Sequence, residues 1–166
     1  MRPFVPLLLS ALGASPDGFL CLGEDEAFDI SRRWLDVFAS EGGSSSKAEL
    51  ATVVAADIVS IDETFGPPTI GIDDLWDVIV AGDNQTTTNI KYTPGVVLNK
   101  CKEISVSWVY TAVTTGTNTS VAAGKAVTFT GIDLLEINLK DRLISKATSS
   151  GNWIVLANQL GETCMV

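Results

Sequence analysis

The chain has 166 residues and not one histidine. That absence removes Ser-His-Asp and Cys-His nucleophile arrangements, histidine metal sites and any histidine general base. There is no Gly-rich phosphate loop and no GxGxxG fingerprint, so the usual backbone cradle for a nucleotide is missing too. Basic residues are few, 11 Lys and Arg against 20 Asp and Glu, for a formal net charge of −9. They are also scattered, with only Arg32 and Arg33 adjacent. Nucleic acid and anionic membrane surfaces need clustered cations, so neither is an expected partner. No apolar run reaches the roughly 20 residues of a membrane span. The three cysteines, Cys21, Cys101 and Cys164, lack zinc-type spacing.

What is present is apolar material, 46% of residues, with 19% charged, enough for one domain with a full core. Met1-Arg2 followed by Pro3 to Ala14 reads as a short secretory signal, with small-x-small cleavage sites at Ala11-Leu12-Gly13 and Cys21-Leu22-Gly23. The alternative is an apolar N-terminal helix packed on the domain. The expected division is therefore a leader over residues 1–23 and a single domain over residues 24–166. Asn84 and Asn118 stand in glycosylation triplets, in keeping with a secreted protein. A cut after Gly23 removes Cys21 and leaves Cys101 and Cys164 to form one disulfide. Three unpaired thiols in a cytoplasmic protein are the other possibility.

Periodicity organises the rest. Glu24-Asp25-Glu26 precede an amphipathic run with Phe28, Ile30, Trp34, Leu35 and Phe38 at near-helical spacing, predicting a helix up to Ala39. Gly42-Gly43-Ser44-Ser45-Ser46 breaks it, and a serine there caps a second helix over Lys47 to Ala56. A short strand, Ile58 to Ile61, leads into a proline turn, and a third helix starts near Asp73-Asp74, burying Leu75, Trp76, Ile79 and Val80. From Thr86 the period becomes two. Strands are predicted over Thr88–Val97, Glu103–Val113, Ala126–Asn138 and Leu143–Ala157, with Ile104, Val106, Trp108 and Tyr110 sharing one face. Helices followed by long antiparallel strands imply an α+β sandwich on one curved sheet.

Two stretches carry a more specific signal. One is Asp62-Glu63-Thr64-Phe65-Gly66-Pro67-Pro68. The other holds Gly131-Ile132-Asp133-Leu134-Leu135-Glu136-Ile137, then Asp141-Arg142-Leu143-Ile144, then Gln159-Leu160-Gly161. Their order resembles the NTF2-like superfamily, with its SnoaL-like cyclases and ketosteroid isomerases. The resemblance implies an α+β cone, three N-terminal helices on a strongly curved, mostly antiparallel sheet, enclosing an apolar pocket. It implies cofactor-independent isomerase or cyclase chemistry on a small apolar carbonyl compound, and homodimerisation through the sheet. Counting back from Phe65-Gly66 assigns Glu63, or the adjacent Asp62, to the general base. Ile132-Asp133 matches the acid that donates to the enolate oxygen as a neutral carboxyl. Trp34 stands where the isomerases carry a tyrosine, and Asn152 where the cyclases carry an aspartate. Trp34, Phe65, Trp76, Trp108, Tyr110, Phe129 and Asn152 are the expected pocket lining. A non-catalytic module that binds a ligand or dimerises is the alternative, with a pocket filled by Trp34, Trp76 and Trp108.

Overall fold

The computed structural model describes residues 18–40, 43–62, 64, 66–81 and 85–162. Glu63, Phe65, Asn84 and Cys164, each named above, lie outside the described residues.

Helix α1 (Glu24–Asp36) opens on Glu24, Asp25 and Glu26, whose charges complement its dipole, and buries Ala27, Ile30, Trp34 and Leu35. Phe28 is exposed instead, because Ala27 occupies the buried face one position earlier and turns Phe28 outward. Helix α2 is a single turn, Lys47–Leu50, capped by the Ser46 side chain accepting from the Glu49 N–H. It was expected to reach Ala56. Thr52 instead bonds back to the Glu49 carbonyl at 2.8 Å, and Val53-Val54 begin a β-branched run that suits a strand. Strand β1 (Val54–Ile61) accordingly starts four residues sooner than the pattern predicts. After β2 (Thr69–Ile70), Gly71 at φ 89° leads into α3 (Ile72–Val80). Only a residue without Cβ takes that conformation freely.

The remaining elements are β3 (Thr87–Lys100), β4 (Glu103–Thr114), β5 (Ala126–Asn138), β6 (Leu143–Gly151) and α4 (Trp153–Gln159). The sheet order is β2-β1-β6-β5-β4-β3. All neighbours are antiparallel except β1 and β6. Two extra residues on β3, between Thr88 and Lys91 and between Pro94 and Val97, shift its register on β4. Such bulges bend and twist a sheet, and Pro94 is tolerated because β3 is an edge strand. The result is a cup. Its inner face carries Ile104, Val106, Trp108 and Tyr110, as the alternation predicts, beside Val127, Phe129, Leu135 and Ile137 of β5. Helix α1 packs on β3 and β4, and α3 on β1.

The fold class is the expected one, with two further differences. The predicted strand through Ala157 stops at Gly151, and α4 replaces its end, because the Asn152 side chain accepts from the Val155 N–H and caps a helix. Cys101 is bonded to Cys21, so the expected pairing of Cys101 with Cys164 is not formed. The segment before α1 lies along the β3–β4 hairpin: Leu22 donates to the Cys101 carbonyl at 3.0 Å, and its side chain is buried. That geometry holds the two sulfurs together. A cut after Gly23 would remove this clip, whereas one at Gly13 would leave it.

Candidate functional site

Asp133 sits in β5 between Ile132 and Leu134, and strand alternation turns it inward with Leu135 and Ile137. It is only 4% exposed. Such a carboxylate needs donors, and it has them: Trp34 Nε1 reaches Oδ2 at 2.7 Å and Trp108 Nε1 reaches Oδ1 at 2.9 Å. The Ser149 side chain is a further partner, directly across the β5–β6 ladder. Burial pushes the Asp133 carboxyl up from its ordinary value, the Trp108, Trp34 and Ser149 contacts pull it back, and the charge of Asp62 adds to the rise. The net displacement is upward. The two indole N–H groups can only donate, so both Asp133 oxygens accept.

Trp108 can lie flat against the sheet because Gly131 is its cross-strand neighbour. A Cβ on Gly131 would come within 2.2 Å of the indole. Tyr92 of β3 packs edge-on against Trp108 and Tyr110, both at 5.2 Å between ring centres. Burial first, then Tyr110, Asp133 and Asp62, push the Tyr92 hydroxyl far above its ordinary value, so it stays protonated as a donor.

These groups meet at a cavity of about 400 Å³. Its lining includes Asp133, Trp108, Tyr92 and Ser149 from the sheet, Leu35 and Phe38 from α1 and its end, Leu75 and Val78 from α3, Trp153 from α4, and Ser60 and Asp62 at the end of β1. Asp62 is half-buried at the rim, where one carboxyl oxygen accepts the Thr64 N–H at 3.0 Å. A deep carboxylate, a rim carboxylate and a phenol therefore share one largely apolar cavity. Among the described residues no cluster of His, Cys, Asp and Glu is arranged to hold a metal ion.

Of the residues singled out from sequence, Asp62, Asp133 and Trp108 line this cavity. Trp34 does not: it is fully buried, and its only N–H is committed to Asp133, so it positions that carboxylate and does not face a ligand. Tyr110 is also buried behind the wall, its hydroxyl 2.7 Å from Thr87 Oγ1, and Phe129 lies behind Trp108. Trp76 packs on the core from α3 without lining the cavity. Asn152 caps α4 and faces the outside of the sheet. Tyr92, Ser149 and Trp153 were missed. The bulges in β3 interrupt the alternation that would have turned Tyr92 inward, and Trp153 was expected in a strand.

No protein-family model and no curated protein matches this sequence. Solved structures match its fold. A protein described as a SnoaL-like polyketide cyclase, from Shewanella putrefaciens, superposes with a TM-score of 0.66 at 14% identity, covering 84% of this chain and 98% of that one. A similar protein from Jannaschia gives a TM-score of 0.67 at 11% identity, covering 85% and 95%. A protein of ketosteroid isomerase-like fold from Catenulispora acidiphila, in complex with trimethylamine, gives 0.64 at 16% identity, covering 81% and 94%. The cup of strands and helices is the NTF2-like fold.

Proposed function

We propose that the cavity is the active site of a cofactor-independent isomerase or cyclase acting on a small, largely apolar carbonyl compound. Asp62, or Glu63 beside it, takes a proton from the carbon next to the carbonyl. The Tyr92 hydroxyl donates to the enolate oxygen that develops, and Asp133 meets the polar end of the compound deep in the cavity. A rim carboxylate is the more solvated of the two and therefore the one free to exchange its proton with water. Tyr92 replaces Asp133 as the donor in this reading, because Asp133 is already surrounded by donors of its own. The single observation that carries the reading is the convergence of Asp62, Tyr92 and Asp133 on one apolar cavity.

The test is exchange of α-protons for deuterium in a panel of cyclic ketones, followed by NMR. Exchange should exceed the buffer rate with the wild-type chain. It should fall about 100-fold or more when Asp62 and Glu63 are both made amides, the loss expected for a general base. Ketones that quench the fluorescence of Trp108 and Trp153 yet exchange no faster than in buffer would favour the second reading, a non-catalytic binding module.

Assembly and export belong to the same proposal. The outer sheet face exposes Val96, Leu98, Val109, Ile132 and Leu134 among Ser and Thr, with Glu103, Glu136 and Lys146 beside Leu98 and Leu134, and a second copy of the chain would cover its apolar part. A disulfide suits an oxidising compartment, and Asn118 stands exposed in the β4–β5 connection where a glycan could be attached.

A further inference from the structure

The charge inside the cavity has one sign. Asp62 and Asp133 line it, and no lysine or arginine does among the described residues. Arg32 is paired with Asp29 and Asp36, Arg33 donates to the Thr52 carbonyl, Lys47 is paired with Asp73, and Arg142 with Glu26. The donors that satisfy Asp133 are two indole N–H groups and a serine, all uncharged. They hydrogen-bond it but bring no positive charge to it. A buried carboxylate ordinarily gains a cationic partner or a proton, since hydrogen bonds alone do not replace the lost solvation of an ion.

The walls complete the argument. Phe38, Tyr92, Trp108 and Trp153 contribute aromatic surface around the two acids. Tyr92 meets Phe38 and Trp108 edge-on, at interplanar angles of 61° and 76°, so the rings stand at steep angles to one another around the space. Aromatic faces attract cations, most strongly where water is excluded. A neutral ligand would use the apolar surface and leave both carboxylates without a counter-charge.

Resting on the reading of this cavity as the ligand site, we propose that its ligand carries an organic cation, a substituted ammonium group beside the apolar carbonyl body, seated against Asp133 and the rings of Tyr92 and Trp108. Asp133 is then the counterion, and Asp62 and Tyr92 keep the roles given above.

The probe is an isosteric pair, choline and 3,3-dimethyl-1-butanol, which have nearly the same shape and differ in charge. Both are titrated into the full chain by calorimetry and by tryptophan fluorescence, with a cyclohexenone as a neutral carbonyl control. Choline should bind at least about tenfold more tightly than the alcohol, as expected for a desolvated cation on aromatic walls and carboxylate. That preference should shrink severalfold in Asp133→Asn and in Asp62→Asn, and the rim variant keeps the test available if the buried one does not fold. Equal affinity for choline and the alcohol overturns the proposal, and so does a preference that survives in both variants. If the enone binds while choline shows no advantage, the cavity reading stands and the cation falls. If no probe binds, both fall.

Discussion

At the scale of single residues the molecule is organised by the burial of one carboxylate. Asp133 has its proton affinity raised by burial, so the folded state holds a proton more tightly than the unfolded chain, whose ordinary value is 3.8. Between those two values the native state carries more protons. Stability therefore falls as pH rises through that window and stays lower above it. Asp133→Asn removes this dependence. The stability of wild type relative to the variant should increase as pH is lowered from 7 toward 4, measured by urea denaturation at each pH. The two indoles supply the opposing effect. Trp34→Phe leaves an oxygen of a buried charge without its donor, and should cost about 1–3 kcal/mol. It should also raise the Asp133 pKa further, read from the carboxyl carbon shift in an NMR titration. A tryptophan present only for its bulk would leave that pKa unmoved.

At the scale of elements, the C-terminal helix shows how a sheet edge is closed. Strand β6 pairs with β5 only as far as Gly151 against Gly131, which leaves the next stretch of β5 with an open edge. The Gln159 side chain fills it: its amide N–H donates to the Thr128 carbonyl at 2.7 Å, and its carbonyl accepts the Thr128 N–H at 2.8 Å. One side chain thus imitates a strand and ties α4, with Trp153, to the cavity wall. Gln159→Ala should cost about 1–3 kcal/mol for the two lost bonds. Amide exchange should accelerate at Thr128 and through α4 while β4 stays protected. Uniform acceleration across the sheet would mean that α4 is an integral part of the global unfolding unit.

At the scale of the whole molecule, one covalent bond and one face matter. The Cys21–Cys101 disulfide closes a span of 80 residues, containing both α1 and the rim of the cavity. Restriction of the unfolded chain by a loop of that size contributes about 4.5 kcal/mol in the chain-entropy account. Cys21→Ser should lower the melting temperature of the oxidised protein by several degrees, to the value wild type shows under reductant. The outer sheet face predicts a second behaviour. A charge at its centre, Leu134→Glu, should convert a dimer to a monomer in analytical ultracentrifugation without moving the melting curve of the monomer. A wild-type chain that sediments as a monomer at all concentrations removes the sheet-to-sheet dimer.

The sequence by itself determined the class of fold and the inner face of β4, because strand alternation is a local property and buried faces announce themselves by it. The resemblance singled out Asp133, and Glu63 or the adjacent Asp62. Only the tertiary structure decided what surrounds these groups. The pairing of Trp34 with Asp133 joins residues 99 positions apart, and nothing in either neighbourhood specifies it. Tyr92 faces inward because two bulges reset the register of β3, and bulges depend on the partner strand. Cys21 rather than Cys164 meets Cys101, since a disulfide follows the path of the chain in space and not the parity of cysteines. Local pattern fixes which way a side chain points, and packing alone fixes what it meets.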